Sequence, residues 1–229
     1  MSEVIDRLEK VAESLPDIIG RLVFVGGGVT EILVTDSAGR KPRPTEDVDC
    51  IIEVASLLEY NRFEKILRKS GFRHDSSNPP LICRWEKEDV ILDVMPTLEG
   101  ILGFTNRWYK DAIQNPVPFT LPNGRIAKIV HPVFYFATKT EAFQSRGKGN
   151  YFTSHDFEDI VSIVNGRLAL VEEMKNANAI VLNEMKTFWK PRLDEVDFKA
   201  AVQAHLDAYE DTERSPIALD RFRSMFSNA

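Results

Sequence analysis

Thr45-Glu46-Asp47-Val48-Asp49-Cys50-Ile51-Ile52 decides the reading of this chain. Its β-branched and apolar residues mark a strand. Period two along that strand puts Asp47 and Asp49 on one face. Two carboxylates sharing a face repel each other, and a divalent metal, which prefers oxygen ligands, offsets that repulsion. Alone, the pair also fits exposed acids near a strand end. Upstream, Arg21 to Val25 reads as a short buried strand running into Gly26-Gly27-Gly28, after which Val29, Ile32 and Leu33 recur at helical spacing. Glycine lets a backbone approach a phosphate closely, and amide N–H groups at a helix start can bind one. A simple tight turn would use the same glycines. Downstream, Val90-Ile91-Leu92-Asp93-Val94-Met95 carries one acid in the middle of an apolar strand. An unpaired buried carboxylate is costly, so Asp93 is either exposed at a strand end or converges with Asp47 and Asp49 on a shared ion. Asp89, four residues earlier and on the same face, is a substitute for it.

The rest of the chain supplies a frame for these residues. Val4, Ile5, Leu8, Val11, Ala12 and Leu15 fall on one face of an opening helix that Pro16 ends. A polar loop is expected over 36–44, and a helix over about 55–69 ended by Ser70-Gly71. Leu81 to Trp85 and Val90 to Met95, separated by Lys87-Glu88, predict an antiparallel hairpin. Val117 to Leu121 and Arg125 to Val130 around Pro122-Asn123-Gly124 predict a second. After Pro132 the pattern turns helical, near 133–146, 156–165, 168–189, 194–210 and 216–226. The expected class is therefore α+β: an N-terminal mixed sheet with flanking helices over 1–131, then a helical domain over 132–229.

Composition narrows the function classes. The 229 residues are 43% hydrophobic and 28% charged, with 12 Gly and 12 Pro, which is globular rather than fibrous or disordered. Twenty-nine basic residues against 35 acidic give a net charge of −6, which does not favour non-specific attraction to nucleic acid but allows a local basic cleft. No apolar stretch approaches the roughly 20 residues of a membrane-spanning helix. Met1-Ser2-Glu3-Val4-Ile5-Asp6 has neither the basic region nor the apolar core of an export signal, so a soluble cytoplasmic protein is expected. Cys50 and Cys83 stand singly and read as buried free thiols, the four histidines lack metal-ligand spacing, and Trp85, Trp108 and Trp189 read as core. No nucleophilic serine or cysteine signature is present.

In order and spacing, the glycine turn, the Asp47–Asp49 pair and the later Asp93 resemble the nucleotidyltransferase superfamily, the polymerase-β-like group, over roughly residues 20 to 95. Val25-Gly26-Gly27-Gly28-Val29-Thr30-Glu31-Ile32-Leu33 looks like the opening of tRNA-terminus and poly(A) polymerases, although those usually carry Arg-Asp where this chain has Thr30-Glu31. Lys139 with Arg146, followed by His155-Asp156-Phe157-Glu158-Asp159, is similar instead to AbiEii-type toxin nucleotidyltransferases. Those relatives often carry Ser or Thr where this chain has Gly28.

The resemblance implies a catalytic domain over 1–131, with the helical domain over 132–229 completing a nucleotide and acceptor cleft. It implies transfer of a nucleoside monophosphate from an NTP, with release of pyrophosphate. Asp47, Asp49 and Asp93 would be catalytic and hold Mg²⁺, in two ions, with Asp93 activating the acceptor hydroxyl. Gly26 and Gly27 would present N–H groups to the triphosphate, Lys139 would add positive charge there, Asp156 would organise the site, and Arg43 would reach a phosphate. The acceptor would be RNA, tRNA among the candidates, or a protein hydroxyl, and the enzyme the toxin of a toxin–antitoxin pair with an antitoxin partner. Its rivals are a small-molecule transferase of the antibiotic-modifying kind and an inactive relative that binds nucleotide.

Overall fold

The computed structural model describes residues 2–36, 42–77, 81–207 and 214–227. It is α+β, with a seven-stranded mixed sheet and ten helices among the described residues. The chain divides into two compact units, Met1–Val29 with Pro44–His131, and Thr30–Arg43 with Pro132–Ala229.

The first unit opens with α1 (Glu3–Ser14), which buries Leu8, Val11 and Ala12. The strand β1 (Leu22–Val25) is buried at every position. It leads through a 3-10 turn at Gly27–Val29 to a single helical turn, α2 (Thr30–Leu33), which belongs to the second unit. β2 (Asp47–Ile52) carries the acidic pair and is followed by α3 (Leu57–Lys69). The α3 start is capped, because the Ser56 hydroxyl accepts from the Glu59 N–H at 3.2 Å. Its end is closed by Gly71 at φ +92°, with the Phe72 N–H returning to the Leu67 carbonyl. Then come β3 (Arg73–His74), β4 (Arg84–Lys87), β5 (Val90–Pro96), α4 (Tyr109–Gln114), β6 (Pro116–Thr120) and β7 (Ile126–Val130).

The sheet order is β3-β4-β5-β2-β1-β7-β6. β2 runs parallel to β5, β1 meets β7 in parallel, and the remaining pairs are antiparallel. Both hairpins read from the sequence are present as β4–β5 and β6–β7. The first starts later than its apolar run suggests. The Arg84 N–H bonds the Leu81 carbonyl in a turn, and the Asp75 carboxylate holds the Leu81 N–H at 2.8 Å, so Leu81 and Ile82 are exposed outside the strand. Its turn is Glu88-Asp89, with Glu88 at φ 53°. Asp89 therefore lies in that turn, bonded to Lys10, and is no substitute for Asp93.

The second unit adds α5 (Pro132–Ser145), α6 (His155–Gly166), α7 (Leu170–Lys175), α8 (Ala179–Trp189), α9 (Val196–Asp207) and α10 (Arg214–Phe226). The single helix expected over 168–189 is two helices. Asn178 explains the break, since its side chain accepts from the Val181 N–H at 3.0 Å and starts a new helix. The expected loop over 36–44 falls partly, at 37–41, outside the described residues, as does 208–210 of the helix expected over 194–210. Aromatic rings build this unit's core. Trp189 is fully buried, stacks at 5.9 Å on Phe143 and donates its indole N–H to the Thr140 hydroxyl at 3.0 Å. No described helix is long and apolar enough to cross a membrane.

Candidate functional site

In the first unit, register brings the acids to one face. Asp49 of β2 stands directly beside Asp93 of β5 in the parallel pair, and Asp47 pairs with Ile91 two positions earlier. Partners in register share a face, and so do residues two apart on a strand. Asp47, Asp49 and Asp93 therefore project from the same side of the sheet. Val25 is the β1 partner of Asp49, which sets the glycine turn against the acids. Gly26 has φ +74°, and a Cβ built on it would lie 1.8 Å from an Asp49 carboxylate oxygen. Glycine is thus required at position 26 twice over, by the left-handed backbone and by the carboxylate that fills the place of a side chain. Gly27 and Gly28 follow in the 3-10 turn and are buried.

The sequence reading missed Arg84. Its Nε and one terminal nitrogen bond both Asp93 oxygens, at 2.8 and 2.7 Å, and that same terminal nitrogen reaches Asp47 at 2.9 Å. The side chains of Arg84, Asp47 and Asp93 are 22%, 33% and 10% exposed, so the cation bridges two carboxylates at a partly covered site. The Asp93 hydrogen bonds push the Arg84 guanidinium well above its ordinary value against the opposing effect of burial, which fixes its charge. A signal for Arg84 was available. Pairing outward from the Glu88-Asp89 turn sets Lys87 against Val90 and Arg84 against Asp93.

The Arg84 guanidinium bridges two of the three carboxylates on this face. Among the described residues, no three Asp, Glu, His or Cys side chains are gathered as a ready metal site. The donor chemistry still suits Mg²⁺, because all three candidates offer carboxylate oxygens and the bridging guanidinium already stands as a cation between Asp47 and Asp93. Asp47, Asp49 and Asp93 would be the residues to hold such an ion, which would supply positive charge to this face.

The second unit gathers the remaining candidates. Lys139 of α5 places Nζ 2.6 Å from Asp159 and 3.2 Å from Asp156, both on α6. Arg146, just past α5, makes two 2.7 Å bonds to Asp156, and Arg43 makes bonds of 3.1 and 3.3 Å to Asp159. The result is an alternating chain, Arg43–Asp159–Lys139–Asp156–Arg146, with Glu158 adding a further negative charge near Arg43. Its centre is dry, with Lys139, Asp156 and Asp159 at 7%, 5% and 1% side-chain exposure, and its Arg146 end is open at 72%. Burial alone would raise the Asp156 carboxyl, but the Arg146 hydrogen bonds with the Lys139 and Arg146 charges hold it below its ordinary value. Burial opposes the Arg43 charge, and Asp159 more than restores it.

The α6 start is set by Ser154, whose hydroxyl accepts from the Phe157 N–H at 3.3 Å, which leaves Asp156 in the first turn. Asp159, one turn on, went unassigned in the sequence reading although it shares the Asp156 face. Beside it, buried Tyr135 bonds the Thr30 hydroxyl. Lys139 and Asp156 are thus brought together with Arg43 in one network of the second unit, while Gly26, Gly27, Asp47, Asp49 and Asp93 lie in the first. A scan against protein-family models and a search of curated proteins found no match to this chain.

Proposed function

We propose that the protein is a Mg²⁺-dependent nucleotidyltransferase that moves a nucleoside monophosphate from an NTP to an acceptor hydroxyl and releases pyrophosphate. The observation that carries the reading is the register of β2 and β5, which sets Asp49 beside Asp93 with Asp47 on the same face and the Gly26 turn against them. Asp47, Asp49 and Asp93 are the proposed metal ligands. When bound, the metal supplies charge to the triphosphate and lowers the pKa of the attacking hydroxyl. Within the chain, Arg84 holds Asp47 and Asp93 on one guanidinium, and the Gly26–Gly27 turn is the proposed source of amide donors to phosphate. The Lys139 network is proposed as a phosphate-binding element of the second unit, with Arg146 at its open end. The proposed acceptor is a hydroxyl of RNA or protein, with the toxin role and its antitoxin partner following the AbiEii-type resemblance.

A second reading draws on Arg84. A guanidinium satisfied by two carboxylates is a stable arrangement without metal, as in an inactive relative that binds nucleotide but does not transfer it. One experiment separates the two. Wild type, Asp47→Asn, Asp49→Asn and Arg84→Met are incubated with each α-labelled NTP and Mg²⁺ together with total RNA, total protein or a small-molecule extract. Label from wild type that disappears in both Asp variants supports transfer, and the labelled fraction names the acceptor class. NTP binding without label in any fraction, from wild type and from Arg84→Met alike, overturns transfer in favour of binding alone. Full activity in Asp49→Asn overturns the assignment of the acids.

A further inference from the structure

The first unit contains a cleft of about 640 Å³ away from the acid face. It lies where the parallel strands β2 and β5 end, lined by the chain that leaves them at Glu53–Ala55 and at Thr97-Leu98. Asp47 starts β2 and the cleft follows its last residue, so the two places are separated by the length of the strand. Open sheets commonly bind ligands outside the carboxyl ends of parallel strands. The volume falls within the ~300–1,000 Å³ of small-molecule sites.

The charges around the cleft are only partly satisfied. Arg21 is closed against Glu59 at 2.9 Å, and Glu59 also accepts from the Ala55 N–H at 3.0 Å. Lys128 donates to the Gly20 carbonyl at 2.6 Å, a neutral acceptor that leaves its charge uncompensated. Lys110 and Glu53 have no ion-pair or hydrogen-bond partner among the described residues. Thr97 also lines the cleft. It is 5% exposed, and its hydroxyl has no hydrogen-bond partner among the described residues. The Thr97 oxygen is not one of the fully buried unpartnered side-chain atoms of the described residues, so the hydroxyl opens into the cleft, where water or a ligand can bond it. Val23, Leu98 and Ile113 add an apolar wall.

We propose that this cleft binds a small phosphate monoester of a hydroxylated sugar, at a site independent of the acid face. Lys110 and Lys128 supply the two uncompensated cations for the phosphate, and the Thr97 hydroxyl donates to it. Glu53 accepts from the sugar hydroxyls, a role that a bare anion would leave unfilled. The apolar wall covers the carbon skeleton.

The test is calorimetric titration of the full chain with ribose 5-phosphate, inorganic phosphate and gluconate. The variants are Lys110→Gln, Thr97→Val and Asp49→Asn, each checked for folding by circular dichroism. Lys110 is exposed, and Thr97→Val conserves shape, so neither removes a contact that holds the fold. Ribose 5-phosphate is expected to bind saturably, about tenfold more weakly to Lys110→Gln, more weakly to Thr97→Val, and equally well to Asp49→Asn. Inorganic phosphate binding as tightly as ribose 5-phosphate would overturn the sugar assignment, and gluconate binding more tightly would overturn the phosphate assignment. Unchanged binding in both Lys110→Gln and Thr97→Val, binding lost in Asp49→Asn, or no saturable binding at millimolar ligand would overturn the site.

Discussion

Replacing Lys139 by methionine removes one charge from the dry centre of the second unit while keeping an unbranched apolar side chain. Lys139 Nζ lies 2.6 Å from Asp159 and 3.2 Å from Asp156, whose side chains are 1% and 5% exposed. Taking one partner out of a buried pair costs about 3–5 kcal/mol, because the charge left behind is neither solvated nor neutralised. Here each carboxylate keeps an arginine. Asp156 retains two 2.7 Å bonds from Arg146, and Asp159 retains two longer ones of 3.1 and 3.3 Å from Arg43. The loss therefore falls mainly on Asp159 and belongs near the lower bound, about 3 kcal/mol. In a chain of 229 residues that corresponds to a Tm lower by roughly 6–12 °C. Urea unfolding followed by tryptophan fluorescence, with Trp189 in this unit's core as one reporter, measures the change directly. Arg146→Met serves as the contrast, because that side chain is 72% exposed and Asp156 keeps Lys139, so its removal should cost less than that of Lys139. The double variant Lys139→Met/Asp159→Asn should regain about half of the loss, since it no longer buries the orphaned charge. A Lys139→Met protein within about 1 kcal/mol of wild type at unchanged m would refute the argument.

Other consequences are as direct. Gly26→Ala places a methyl group on the Asp49 carboxylate at a left-handed backbone position, and should lower stability by about 2 kcal/mol or more in denaturant melts; Asp49→Gly in the same chain should restore part of it. The Asp75 carboxyl is held down at about 2 by the Leu81 N–H, the Ser77 hydroxyl and the Ser77 N–H. Its stabilisation is present above the ordinary value of 3.8 and is lost as pH falls through about 2, so the deficit of Asp75→Asn should vanish over that interval, and a carboxyl ¹³C titration of Asp75 with its midpoint near 4 would contradict the assignment. Burial, then the Asp93 charge, pushes the Cys83 thiol up to about 11, and complete burial with the charges of Asp49 and Asp93 raises Cys50 as well. At pH 8 both should react with a disulfide reagent far more slowly than in the urea-unfolded chain, and Cys83 labelling at the unfolded rate would show that its surroundings are wrongly described.

Short-range chemistry was legible in the sequence. The opening helix, the α3 helix with its Gly71 stop and both hairpins follow from periodicity, stop signals and turn residues, and each appears within a few residues of its expected place. Features decided by a neighbour distant in the chain were not. Leu81 and Ile82 have strand propensity, yet the Asp75 carboxylate captures the chain there and delays β4. The apolar pattern over 168–189 continues across Asn178, and only that side chain's bond to the Val181 N–H divides it. Asp47 and Asp49 could be assigned to one face from spacing alone, but that Asp93 stands in register with Asp49 required the parallel pairing of β2 with β5, which no local pattern encodes. Arg84 and Asp159 are the converse case, charged residues whose meaning comes from the partners that fold against them.

The second unit draws Thr30–Arg43 out of the middle of the first, and that excursion orders the protein's synthesis. The N–H groups of Thr35 and Asp36 both bond the Gly166 carbonyl at 2.8 Å, Arg167 reaches the Leu33 carbonyl at 2.9 Å, and Arg214 grips Asp36 at 2.9 Å. On the ribosome, residues 30–36 emerge long before α6 and α10 exist, so they must wait while the sheet of the first unit forms on both sides of them. The helical unit cannot be finished until its earliest segment is recaptured by its latest. A chain cut after His131 would release helices that lack this piece, leaving the Gly166 carbonyl, Arg167 and Arg214 without the bonds that residues 33–36 give them.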